Sequence, residues 1–247
     1  MSLTVCKFGG SSLADGNNIA RVTEIVKADP SRRFVVVSAP GKRFSDDVKV
    51  TDLLYSCYND CVATGKCSST FEKIRKRFHS IVAELNLNDF EIDAILDETE
   101  AEIEKQKSID FTASRGEYLN ARIVAAKMGW DFIDAKDVIF FGKDGCFDEN
   151  KSYPLIAAKL SKSKNAIIPG FYGTDFSGKV KTFSRGGSDI SGSIIARGVN
   201  ADLYENWTDV SGFLACDPRI VSKPKKIENI SFKELRELSY MGANVLH

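Results

Sequence analysis

Lys7 lies two residues before the run Gly9-Gly10-Ser11-Ser12. A cation beside paired glycines can grip a phosphate, because the glycines let backbone amides approach the anion while the lysine neutralises its charge. Comparable loops recur at Ser38-Ala39-Pro40-Gly41, at Ser184-Arg185-Gly186-Gly187-Ser188-Asp189 and at Asn206-Trp207-Thr208-Asp209-Val210-Ser211-Gly212. One such loop is commonly no more than a tight turn. The set, each member following or opening a regular element, points to a site built for phosphate and small anions. The chain contains no GxxxxGK[ST], and no GxGxxG follows its first strand, so the grip is neither a Walker A loop nor a dinucleotide fingerprint.

Positioning these loops requires strands that end at them. Leu3 to Phe8 reads as a first strand, and the helix after it carries Ile19, Val22, Ile25 and Val26 on one face. Phe34 to Val37 is a continuous apolar run of the kind buried on both faces of a parallel sheet, and it ends at Ser38. A second helix starts near Thr51 and Asp52. The pattern stays helical from about 52 to 107, which reads as a solvated helical insertion whose stretch 89–104 sets many acidic residues around a spaced apolar stripe. Ser114-Arg115-Gly116-Glu117 then reads as a loop leading into a helix from Tyr118 to Lys127. Strand character returns at Trp130 to Ile133 and at Asn165 to Pro169. A hairpin turns at Ser177-Gly178, the loop 184–189 opens a helix through Ile194 and Ile195, and Ala201 to Trp207 forms the last strand. This alternation predicts an α/β fold in which a mixed, mostly parallel sheet has helices on both faces and binds ligands at the carboxyl ends of its strands.

Composition narrows the partners. The 34 basic residues balance 34 acidic ones, leaving no overall field to attract nucleic acid or an anionic membrane. No apolar run approaches the ~18 residues of a membrane span, and the N-terminus has no signal-like apolar core, so a cytoplasmic protein is expected. The six cysteines include no CxxC pair and only His79 and His247 could add imidazole, so free thiols are expected and no protein-held metal site.

The ordered motifs KFGGSS, SAPGK followed by Thr51-Asp52-Leu53-Leu54, SRGE, FSRGGSD, WTDVSGFLACDPR and GANVLH resemble those of the aspartokinases over residues 4 to 247, with the helical stretch matching weakly. The resemblance implies the amino acid kinase fold, a three-layer α/β/α sandwich, in one catalytic domain spanning 1–247. It also implies transfer of phosphate from ATP, with Mg²⁺ carried mainly by the nucleotide, to the side-chain carboxylate of L-aspartate. That reaction opens the route to lysine, threonine and methionine. Carried over by motif position, it puts Lys7 on the transferring phosphate with Asp189 positioning it. Ser38, Thr51, Glu117, Arg185 and Ser188 then surround aspartate, and Gly9, Gly10, Ser11, Thr208, Asp209 and Arg219 face the nucleotide. Asn244 stands where many family members have lysine before VLH. The family also implies a homo-oligomer and C-terminal regulatory domains, which are expected to be missing from this chain.

The residue chemistry agrees. A carboxylate of ordinary pKa ~3.9 is ionised at neutral pH and attacks without a general base, which suits a chain with two histidines. An amino-acid acceptor asks for a cationic fork and an anion, which Arg185 and Glu117 supply. Two other readings remain open: the same fold with another acceptor, such as glutamate, N-acetylglutamate or a nucleoside monophosphate, and a non-catalytic amino-acid sensor that retains the pocket.

Overall fold

In the first strand, β1 (Thr4–Phe8), every residue is buried, and the two-residue repeat sorts its side chains between two cores. Cys6 and Phe8 face one core; Val5 faces the other. The second strand, β2 (Arg32–Val37), repeats the division, with Val35 and Val37 on the first side and Phe34 and Val36 on the second. Lys7 has the parity of Val5, so it projects on the second side.

The computed structural model describes residues 2–184, 186–208, 212 and 221–240. They divide into two compact units, Met1–Trp207 and Thr208–His247. In the first, β1 and β2 are joined by β3 (Asp131–Phe132), β4 (Ala166–Pro169) and the strand Leu203–Trp207 in a parallel sheet. Its order is β3, β4, β2, β1, then Leu203–Trp207. The hairpin β5 (Tyr172–Thr174) and β6 (Val180–Thr182) pairs antiparallel as a separate ribbon, which makes Leu203–Trp207 β7. The fold is the mixed α/β/α sandwich expected.

The helices on the first side are α1 (Gly16–Lys27), α2 (Val50–Thr64), α3 (Ser68–Glu84), α4 (Ile92–Gln106) and α5 (Ile109–Met128). On the second side lie α6 (Glu149–Leu160) and α7 (Gly187–Gly198). The second unit contains α8 (Phe232–Tyr240), where Ser231 accepts from the amide of Glu234 while the Glu234 carboxylate accepts from the amide of Ser231, a reciprocal helix cap.

Two expectations need correction. The helices of 50–106 are not a solvated appendage: Leu54, Cys57, Cys61, Phe71, Ile74, Phe78, Ile81, Leu96 and Ile103 are fully buried in the core shared with α1 and α5. The acidic side chains of α4 do face outward, as its apolar stripe requires, and Arg75 of α3 pairs with Asp97 and Glu100. Nor is 114–117 a loop. Helix α5 begins at Ile109, with the Ser108 side chain accepting from the Phe111 amide and Asp110 in the first turn, so Glu117 sits mid-helix.

Gly116 inside that helix, which costs roughly 0.5–1 kcal/mol relative to alanine, marks close packing and not a turn. A Cβ there would lie 2.7 Å from the Ala39 Cβ. Helix α6 carries no clear sequence signal because Pro154 interrupts it and only Ser152, Ile156 and Leu160 are buried. Asp148 caps it by accepting from the Lys151 amide.

Candidate active site

The pocket forms where β1, β2 and β4 end. Two loops cross there almost without side chains between them. The Gly41 amide donates to the Gly10 carbonyl at 2.8 Å, and the Ser38 amide donates to the Phe8 carbonyl at 3.2 Å. A Cβ on Gly10 would stand 2.8 Å from the Ala39 carbonyl oxygen, and one on Gly41 would stand 2.7 Å from the Gly10 carbonyl carbon. Only glycines allow this approach. The Gly9 amide donates to the Trp207 carbonyl at 3.2 Å, which ties the loop to β7, whose Trp207 ring stacks on Phe8.

A pocket of ≈ 230 Å³ opens over this crossing, lined by Lys7, Gly9, Gly10, Ser38, Thr51, Glu117, Phe171, Gly186, Gly187, Ser188 and Asp189. Lys7 Nζ is 2.6 Å from Asp189 Oδ1, and both side chains are largely buried. This oxygen makes no aligned hydrogen bond, so the contact is an ion pair. Asp189 lies in the first turn of α7, whose N-cap Gly186 takes the left-handed φ of +78° that glycine tolerates. The amino end of α7 therefore meets the pocket, where peptide amides and the helix dipole favour an anion.

Glu117 enters from the opposite helix. It is 5% exposed, and its Oε2 has no hydrogen-bond partner. Burial pushes its pKa up to about 8, against the Ala39 amide and the Arg115 charge, which favour the ionised form. Asn120, one turn further along α5, donates from Nδ2 to the Ser38 carbonyl at 2.7 Å and so fixes the Ser38 loop against the same helix. Phe171 closes another wall. Its φ of +78° is unusual for an aromatic residue, and its amide donates to Ser191 Oγ, which in turn donates to the Gly187 carbonyl.

The pocket thus unites Lys7, Gly9, Gly10, Ser38, Thr51, Glu117, Ser188 and Asp189 from sequence-distant motifs. Ser11 does not line it; it opens the short 3₁₀ turn Ser11–Leu13 behind the glycines and is exposed. Thr208 begins the second unit. Arg185, Asp209, Arg219 and Asn244 lie outside the described residues. Asn120, Phe171, Gly186 and Gly187 were not among the expected site residues. The spacing Gly116-Glu117-x-x-Asn120 is a helical one and could have signalled Asn120, whereas nothing in the sequence marks Phe171.

A model of the amino acid kinase family matches residues 2–247. The chain belongs to the amino acid kinase family. Among similar family members, aspartate kinase from Clostridium acetobutylicum superposes with a TM-score of 0.94 at 54% identity, over 100% of this chain and 56% of that one. Aspartokinase III of E. coli, solved in complex with aspartate and ADP, superposes with a TM-score of 0.82 at 27% identity, over 99% and 57%. Aspartokinase 3 of Bacillus subtilis (strain 168) is 40% identical over 260 residues, 99% of this chain and 57% of that protein. The chain therefore spans little more than half the length of these family members. Among the described residues, no helix is long and apolar enough to cross a membrane, and no group of three or more His, Cys, Asp or Glu could hold a metal ion.

Proposed function

We propose that this amino acid kinase transfers the γ-phosphoryl group of ATP to the side-chain carboxylate of L-aspartate, forming 4-phospho-L-aspartate for lysine, threonine and methionine biosynthesis. The observation that carries this reading is Glu117: a buried carboxylate whose Oε2 has no hydrogen-bond partner, lining the same pocket as the Lys7–Asp189 pair. A buried acid in that state asks for a cationic partner, and the α-ammonium of a free amino acid is one. An N-acylated acceptor would leave it unpaired. The motif position of Arg185 supports the same acceptor by offering a fork to the α-carboxylate.

The chemistry asked of the residues is positional and electrostatic. The acceptor carboxylate attacks phosphorus in its ionised form, the bond to the ADP oxygen breaks, and no proton needs to move. Lys7 neutralises charge on the transferring group, and Asp189 holds the Lys7 ammonium at a fixed point beside the amino end of α7. Gly9 and Gly10 offer backbone in place of side chains, so phosphate oxygens can approach the loop closely. Mg²⁺ brought with the nucleotide would supply further charge neutralisation.

The test is aspartate-dependent ADP release by the purified chain with the acyl phosphate trapped as its hydroxamate. Hydroxamate should form with aspartate and not with N-acetylglutamate or glutamate. Equal turnover with N-acetylglutamate, or ADP release without hydroxamate, would overturn the assignment.

A further inference from the structure

Arg77, on the helix that the sequence marks as peripheral, is 5% exposed and contacts neither the pocket nor the surface chemistry. Its guanidinium divides three ways. NH2 donates to the Ala14 carbonyl and to the Gly41 carbonyl, each at 2.7 Å, and NH1 pairs with Asp47 Oδ2 at 2.6 Å. Ala14 ends the 3₁₀ turn that follows Gly9-Gly10, and Gly41 is the residue whose amide binds the Gly10 carbonyl. One side chain therefore holds the far ends of both loops that cross at the pocket floor.

Asp47 belongs to the same device. It is buried, and besides Arg77 it accepts from the backbone amide, Nε and NH2 of Arg43 at 3.0, 2.8 and 2.8 Å. Seven residues after Arg77, two turns along the same face of α3, Glu84 Oε2 accepts from the Gly16 amide at 2.7 Å, and Ser80 Oγ donates to its other oxygen. Helix α3 thus grips the β1 loop on both sides of Asp15, once by a carbonyl and once by an amide.

We infer that Arg77, with Asp47 and Glu84, is a positioning residue for phosphoryl transfer, fixing the Gly9-Gly10 loop and the Ser38–Gly41 loop relative to each other without touching a ligand. The inference rests on the proposed kinase reading. The register matters because the first loop lies on the phosphate side of the pocket and the second carries Ser38 towards the acceptor. Displacements on the order of 1 Å between reacting groups can lower rates about 10²-fold. A planar fork that satisfies three acceptors in fixed directions cannot be replaced by an ammonium on a flexible stem.

The test compares wild type, Arg77→Lys, Arg77→Met and Glu84→Ala in the full chain, by steady-state kinetics well below each variant's Tm and by amide hydrogen exchange. Arg77→Lys is expected to lower kcat about 10- to 100-fold, with smaller changes in either KM, and to speed exchange at the Gly41 amide relative to core amides of β2. Arg77→Met should be worse in both. A kcat within twofold of wild type in Arg77→Lys, with Gly41 exchange unchanged, would overturn the inference and leave Arg77 a residue of stability alone. If the Arg77 variants do not fold, Glu84→Ala, which removes the acceptor of the Gly16 amide, carries the test, and an unaltered kcat there counts against positioning by α3. Wild type that forms no hydroxamate with aspartate would sink the kinase reading instead, while the exchange measurement would still decide whether Arg77 fixes the loops.

Discussion

If Glu117 binds the ammonium of the acceptor, the KM for aspartate must depend on pH in a particular way. Burial raises the Glu117 pKa to about 8, so most of the carboxylate is protonated at neutral pH. A cationic ammonium binds the ionised form. Affinity therefore rises with pH until Glu117 is ionised without help. For a group of pKa ~8 whose protonated form does not bind, the apparent dissociation constant scales with one plus the ratio of protonated to ionised carboxyl. Moving from about pH 6.5 to about pH 7.5 should lower KM roughly eightfold, and the curve should flatten above about pH 8. The kcat should vary far less, since the bound complex is already ionised at Glu117 and the attacking carboxylate needs no base. ADP release at saturating ATP, with aspartate varied at constant ionic strength, reads both quantities. The charged and titratable groups around Glu117 are Arg115 on its own helix, Tyr55 on α2, and Lys7 and Asp189 lining the pocket. Glu117→Gln separates them: it should raise KM at pH 8 and abolish the slope. A KM that stays flat from pH 6 to pH 8, or a slope that survives in Glu117→Gln, would refute the reasoning.

Three further outcomes follow from the same geometry. An acid whose folded pKa lies above its unfolded value loses stability as pH rises between the two. Glu117→Gln should therefore raise the Tm of the ligand-free protein by several degrees at pH 8 and change it little at pH 5, the cost relieved being on the order of a few kcal/mol; equal melting shifts at both pH values would contradict this. Lys7→Ala should lower kcat by ~10²-fold or more with lesser changes in KM, since in the proposed reaction its ammonium, held by Asp189, neutralises charge on the transferring group; a folded variant with near-normal kcat would remove Lys7 from the mechanism. Gly10→Ala places a methyl 2.8 Å from the Ala39 carbonyl and should force the two loops apart, lowering kcat/KM for both substrates, whereas Gly65→Ala, with open space at its Cβ but a left-handed φ of +84° at the end of α2, should lower Tm and leave kinetics unchanged.

Much of the sheet could be read from the sequence because its strands are buried on both faces, which leaves short unbroken apolar runs such as Phe34 to Val37. The glycine loops that line the pocket were legible because several of them recur at strand ends with a charged residue close by, as Lys7 stands beside Gly9-Gly10 and Asp189 beside Gly186-Gly187. Glu117 does line the pocket, but from mid-helix and not from the loop its motif suggests. Gly116 looked like a turn residue, and only the Ala39 methyl packed against it shows why a helix tolerates glycine there. The burial of α2, α3 and α4 was missed for a different reason. The outward faces of α3 and α4 are strongly charged, and sequence alone does not reveal that the apolar stripes of all three helices meet one another, α1 and α5 in one core. Arg77 was invisible on the same ground: an arginine on a helix is ordinarily solvated, and its three acceptors come from segments 30 to 63 residues away.

The balance of charge inside the pocket bears on how the proposed reaction would bring two anions together in a protein with no net charge. Among the described lining residues, Lys7 offers one positive charge and Asp189 cancels it, while Glu117 is largely neutral near pH 7. Net positive charge there is small. In the proposed reaction nucleotide phosphate would then be held chiefly by dipoles that are already oriented: the backbone of Gly9 and Gly10 and the amino end of α7. Such dipoles need no reorganisation as charge shifts from the attacking carboxylate to the leaving ADP oxygen, but their effect falls quickly with misalignment. A site that relies on them has to be stiff. That requirement accounts for the glycine crossing at Gly10 and Gly41, for the Asn120 tether on Ser38, and for the buried arginine that grips both loops from behind.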